Sequence, residues 1–148
     1  MKDLPESPEN YPGSDASPDE ILNLASAYSE AANALFDAAK KGRALSYAPA
    51  RLCAIHATEL FLNAFLRRSG ESPERIRGRL HNLADDDFCN TLRLKKKTAK
   101  HLVDMTDRRE YLISRYAPEL TSQHTELTRL KATLNEVQSK VTHYFDSS

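Results

Sequence analysis

Arg51-Leu-Cys-Ala-Ile-His-Ala-Thr-Glu-Leu-Phe-Leu-Asn-Ala-Phe-Leu-Arg-Arg-Ser69, followed by Gly70, is the densest run of apolar side chains in the chain, and it encloses His56, Glu59 and Asn63. On a helical wheel, Leu52 to Leu66 places apolar groups on nearly every side. A helix of that kind sits in the middle of a bundle and is touched on several faces. It is too short and too polar to cross a bilayer, which takes ~20 mostly apolar residues. The stretch therefore predicts the central helix of an all-α bundle, its polar residues forming either a core network or a site.

Upstream, Ser17-Pro18-Asp19-Glu20 is a helix start: serine caps, proline suits the first helical position, and Glu20 completes a capping box. Ile21, Leu24, Ala25, Tyr28, Ala31, Ala32, Leu35, Phe36 and Ala39 then follow a 3.6-residue stripe that ends at Lys40-Lys41-Gly42. Before it, residues 1–16 are acidic and apolar-poor, with Pro5, Pro8 and Pro12, and are expected to be disordered or loosely docked. Residues 17–148 form the single expected domain.

Downstream of Gly70, Ser72-Pro73-Glu74 repeats the start signal and opens a short basic helix through Arg75, Arg77 and Arg79. His81-Asn82-Leu83 leads to another short helix ending near Leu92, with Asp85 to Asp87 in its early turns. From Thr98 the stripe Leu102, Met105, Arg109, Leu112, Ile113 predicts one helix to about Ala117, where Pro118 breaks it. The last helix, Glu119 to about Phe145, carries Leu127, Leu130, Leu134, Val137, Val141 and Tyr144 as a heptad seam. Its partner is helix one or two of the same chain, or a second copy.

Lys and Arg balance Asp and Glu at 21 each, so no global field favours nucleic acid or acidic membranes. Met1 to Pro8 lack the apolar core of a secretory signal, and Cys53 and Cys89 are the only cysteines. A cytoplasmic setting with reduced thiols, and no membrane, is the expectation. Without a Gly-rich phosphate loop, a zinc-type Cys/His spacing or a nucleophile elbow, no cofactor or metal is expected. Asp104 and Asp107 share a helix face but lack a third ligand.

His56 and Glu59 are three residues apart and Asn63 lies one turn further, so the three form a polar strip. Arg51 and His56 are the candidate catalytic pair: a guanidinium stabilises phosphorane charge and an imidazole moves protons. Arg75 and His81 have a similar spacing. Arg67, Arg68, Arg75, Arg77, Arg79, Arg93, Lys95, Lys96, Lys97 and Lys100 offer either a phosphate-binding surface or a solvated face.

Residues 50–66, Ala-Arg-Leu-Cys-Ala-Ile-His-Ala-Thr-Glu-Leu-Phe-Leu-Asn-Ala-Phe-Leu, with Gly70 behind them, resemble the histidine/glutamate helix of the HEPN superfamily. His81-Asn82-Leu83 resembles the H-[DN]-L that follows that helix. Arg115-Tyr116, before Ala117 and Pro118, resembles the R-Y-P ahead of the last one. The resemblance implies an antiparallel up-and-down bundle of four long helices plus one or two short ones, a homodimer, and a role around nucleotides or RNA. It also marks Glu59, Asn63, His81, Asn82, Arg115 and Tyr116 as ligand or polar-network residues. In the family's ribonucleases an arginine and histidine four to six residues apart stand near the start of a late helix. Here that spacing occurs in the second helix, at Arg51 and His56. The leading expectation is thus a non-catalytic module binding a nucleotide, RNA or protein partner. The alternatives are a metal-independent toxin-type ribonuclease using Arg51 and His56, and the HEPN partner of a small nucleotidyltransferase.

Overall fold

A computed structural model describes residues 11–123 and 126–147, with backbone only at 121–123, and among the described residues there are seven α-helices and no strand. They are α1 (Pro18–Ala38), α2 (Ala48–Arg68), α3 (Pro73–Arg77), α4 (Asp86–Thr91), α5 (Lys96–Asp107), α6 (Glu110–Tyr116) and α7 (Leu127–Ser147). Turns of 3-10 helix occupy Ala44–Tyr47 and Pro118–Gln123. The all-α bundle expected from the sequence is the fold.

The capping box forms as its residues dictate. Ser17 Oγ accepts from the Glu20 N–H at 3.1 Å, and Glu20 Oε1 accepts from the Ser17 N–H at 2.9 Å. The buried line of α1 is Ala25, Ser29, Ala32 and Phe36, one step round from the middle of the expected stripe. Leu24 and Tyr28 stay partly exposed. Ser29 is what turns the helix: its hydroxyl donates to Gln138 Oε1 of α7 at 2.6 Å. The helix stops at Ala38, before Lys40 and Lys41, and Gly42 takes the chain round at a φ of +87°.

Helix α2 is the centre. Ala50, Ala54, Ile55, Ala57, Thr58, Phe61, Leu62, Ala64, Phe65 and Leu66 are all buried in it. It packs on α1, α7, α6 and α3. Phe65 meets Tyr144 with ring centroids 4.8 Å apart, and Arg68 lies over Phe145, so α2 and α7 run the same way. Lys131 lies over Phe36 while Ser29 bonds to Gln138, so α1 runs against α7. Thr98 pairs with Glu136 and His101 with Thr133, so α5 also runs against α7. The long helices α1, α2, α5 and α7 thus go down, up, down and up.

The α7 seam is used inside the chain. Leu130, Leu134, Val137 and Val141 are fully buried, with Phe145 behind them.

Two boundaries differ from the sequence expectation. The helix foreseen from Thr98 to Ala117 is split into α5 and α6 by Arg109, whose φ is +54°. The stripe explains why: continuous helix would put Arg109 in line with Met105 and Ile113, whereas the break leaves it exposed and sends Ile113 inward. The Arg108 N–H closes α5 on Asp104 O, and the Leu112 and Ile113 N–H groups restart the chain on Arg109 O. Helix α7 starts at Leu127 rather than at Glu119, the polar run after Pro118 forming 3-10 turn instead.

Residues 1–10 of the lead-in lie outside the described residues. Its end is docked, with the Tyr11 ring 4.1 Å from the Arg77 guanidinium. Cys53 and Cys89 are separate free thiols, and burial pushes both above the ordinary thiol value. Replacing Phe61, fully buried on α2, should test the centrality of that helix. Phe61→Ala is expected to lower the unfolding free energy by about 3–5 kcal/mol in urea melts. A loss below about 1 kcal/mol would contradict the packing described here.

Candidate functional site

The polar strip of α2 faces two segments that follow it in sequence. The Glu59 carboxylate holds His81 Nδ1 at 2.8 and 3.2 Å. An ionised carboxylate only accepts, so Nδ1 carries the hydrogen and Nε2 points elsewhere on a half-exposed ring. That ring stacks on Tyr111 of α6, centroids 4.6 Å apart and planes 29° from parallel. His56, one turn before Glu59, meets the Tyr28 ring of α1 edge-on at 4.6 Å. Burial pushes the His56 imidazole below its ordinary value. Glu59 opposes that shift, while the charges of Arg115 and His81 add to it. His56, Glu59, His81 and Arg115 therefore share one electrostatic neighbourhood.

His81 reaches Glu59 because the loop between α3 and α4 is forced into place. Leu80 and His81 have φ of 51° and 67°, a left-handed pair costing roughly 1–2 kcal/mol per residue. Arg79 offsets this by clamping both sides of the turn. Its Nη1 donates to Asp85 Oδ2 and its Nη2 to Asn82 O, each at 3.0 Å, and its guanidinium lies over Phe88. Asn82 Oδ1 accepts the Ala84 N–H at 2.9 Å, and the buried Leu83 donates its N–H to Thr106 Oγ1 at 3.1 Å. Partial burial works to raise the Asp85 carboxyl. The Arg79 hydrogen bond and the Phe88 and Asp87 N–H groups outweigh it and hold the group below its usual range.

The result is a pocket of about 330 Å³ whose lining includes Glu59, Asn63, His81 and Asn82 from the expected set, with Arg77, Arg79 and Tyr11. Arg115 and Tyr116 are exposed on α6, with Arg115 Nη2 donating to the Tyr116 hydroxyl at 2.9 Å.

Arg51 has other neighbours. Burial pushes its guanidinium below the usual range, the fully buried Glu110 opposes this, and its charge is felt at His101. The basic residues divide. Arg75 pairs with Glu71, Arg79 with Asp85, Arg77 lines the His81 pocket, and Lys97 and Lys100 line another cleft. Among the described residues no three His, Cys, Asp or Glu side chains group as a metal ion needs, and no helix is long and apolar enough to cross a membrane.

A second polar cluster went unread in the sequence. His101, 3% exposed, bonds through Nδ1 to the buried Thr133 hydroxyl at 2.7 Å. Thr98, on the same face, donates to Glu136 Oε1 at 2.7 Å and accepts from Arg129 Nη2 at 3.1 Å. The signal was present: Thr98, His101 and Met105 keep the helical spacing of Leu102's stripe, which puts a histidine at a core position.

Compared with known protein families, curated proteins and solved structures, the chain matches none.

His101 generates a pH prediction. Burial and then the Arg129 charge hold its imidazole down to about 4, against 6.5 ordinarily. Above pH 6.5 neither the folded nor the unfolded state carries the proton. Between 6.5 and 4 the unfolded state binds it first, so stability falls with pH by about 2–3 kcal/mol. Urea unfolding at stepped pH should show His101→Asn losing less than the parent across that window. Equal slopes would assign the loss to other groups.

Proposed function

We propose that this chain is a HEPN-like binding module that takes a nucleotide, or the unpaired bases of an RNA, in the pocket beside Glu59 and His81. The observation that supports the reading is the Glu59–His81–Tyr111 arrangement. The carboxylate fixes the tautomer and orientation of the imidazole and leaves Nε2 for a ligand. Beside it, Asn63 and Asn82 line a pocket at the small end of the ~300–1,000 Å³ range of ligand sites. Amide groups suit base edges, and Arg77 brings a cation to the same pocket for the phosphate end of a ligand. The homodimer and the nucleotidyltransferase partner rest on the family resemblance. A dimer would use a face other than the α7 seam, which is filled within the chain.

The test is fluorescence anisotropy with a labelled single-stranded RNA, and with AMP as competitor. Saturable binding is expected, and both Glu59→Gln and His81→Ala should weaken it about tenfold, the worth of one charge-assisted hydrogen bond. No binding of either probe at about 1 mM would sink the reading. RNA cleaved by the parent but not by His56→Ala would put the ribonuclease in its place.

A further inference from the structure

Beside α5 and the start of α7 lies a cleft of about 400 Å³ that shares no lining residue with the His81 pocket. Lys97, Lys100, Arg108 and Arg129 bring four cations to its wall, against the two carboxylates of Asp104 and Glu126. His101 forms part of the same wall.

Arg129 carries the argument. The nearby carboxylate of Glu136 does not answer it. One Glu136 oxygen accepts from the Thr98 hydroxyl at 2.7 Å and the other from the Lys95 N–H at 2.6 Å, capping α5. Arg129 reaches this group only through Thr98, by the 3.1 Å bond from Nη2. Its Nε is shut off from solvent and has no hydrogen-bond partner. A buried N–H left in that state is rare and unfavourable, and among the described residues the guanidinium bonds only to the neutral Thr98 hydroxyl, with no carboxylate paired to its charge. The His101 ring is meanwhile tied back to Thr133 at 2.7 Å, so it walls the cleft without filling it.

We propose that this cleft binds a phosphate-type oxyanion, either a phosphomonoester or one phosphate of a nucleic-acid backbone, with Arg129 as the principal contact and Lys97 and Lys100 completing the shell. The Arg129 guanidinium and two lysines bring positive charge from several directions, which suits a tetrahedral, multiply charged anion. The cleft is larger than one phosphate, which leaves space for the group that carries it. The inference does not depend on the His81 pocket.

The experiment is an NMR titration of the full chain, first with inorganic phosphate and then with a single-stranded RNA lacking terminal phosphates. Phosphate is expected to shift the His101 and Lys100 signals saturably, with Arg129→Gln weakening binding about tenfold or more and Lys100→Gln several-fold. Lys100 is exposed, so its variant carries the test if Arg129→Gln fails to fold. Lys41→Gln, exposed beyond the end of α1 and lining neither pocket, should leave phosphate affinity unchanged. RNA that displaces phosphate identifies a backbone site; RNA that does not identifies a monoester site. No response at His101 or Lys100 to about 20 mM phosphate and to RNA would overturn the proposal. So would unchanged affinity in both Lys100→Gln and Lys97→Gln.

Discussion

A helix packed on nearly every side has to find an answer inside the protein for each polar group it carries. That constraint on α2 shapes the rest of the molecule. Leaving a buried donor or acceptor unmade costs about 1–3 kcal/mol, a large share of the ~5–15 kcal/mol that holds a domain together. Thr58 solves the problem locally, its hydroxyl bonding back to Ala54 O at 2.8 Å. Glu59 and His56 cannot. Glu59 draws in His81 from the α3–α4 loop, and His56, only partly buried, packs its ring in a T-shape with Tyr28 from α1. Arg51, at the other end, lies within the field of the buried Glu110 of α6. The helices around α2 are placed by oil on most faces and by these few polar groups on the remainder.

What could be read beforehand was whatever is encoded within a few residues. Ser17 with Glu20, and Ser72 with Pro73, are caps because side chain and backbone meet within one turn. The all-round apolar character of α2 and the heptad spacing of α7 gave their burial for the same reason. What escaped depends on partners far along the chain. Periodicity could not say that Ser29 rather than Tyr28 faces inward, because the deciding contact is Gln138, on α7. The pairing of Glu59 with His81 rests on a left-handed turn built from Leu80 and His81, and Leu80 is not a residue that announces such a turn.

A chain with no net charge still arranges strong local fields. Its charged groups are not uniformly neutralised: Arg79 and Asp85 cancel one another across a turn, while Lys97, Lys100, Arg108 and Arg129 outnumber the carboxylates around one cleft. At physiological salt such an excess is felt over about 8 Å and no further. The bulk balance therefore excludes long-range steering by the whole protein and leaves short-range recognition intact.

The loop that carries His81 is flanked by α3 and α4, of five and six residues. Helices of that length do not persist on their own. One wall of the His81 pocket therefore belongs to α2, the most deeply packed element, and the facing wall to a segment that keeps its shape only while docked. That wall is held by its docking, through Leu83 and Phe88 buried in the core, and it is through this docking that it opens. A ligand bridging the walls acts first on that partial opening. Its signature is slowed amide exchange between Ser72 and Thr91, out of proportion to any rise in the melting temperature of the whole bundle.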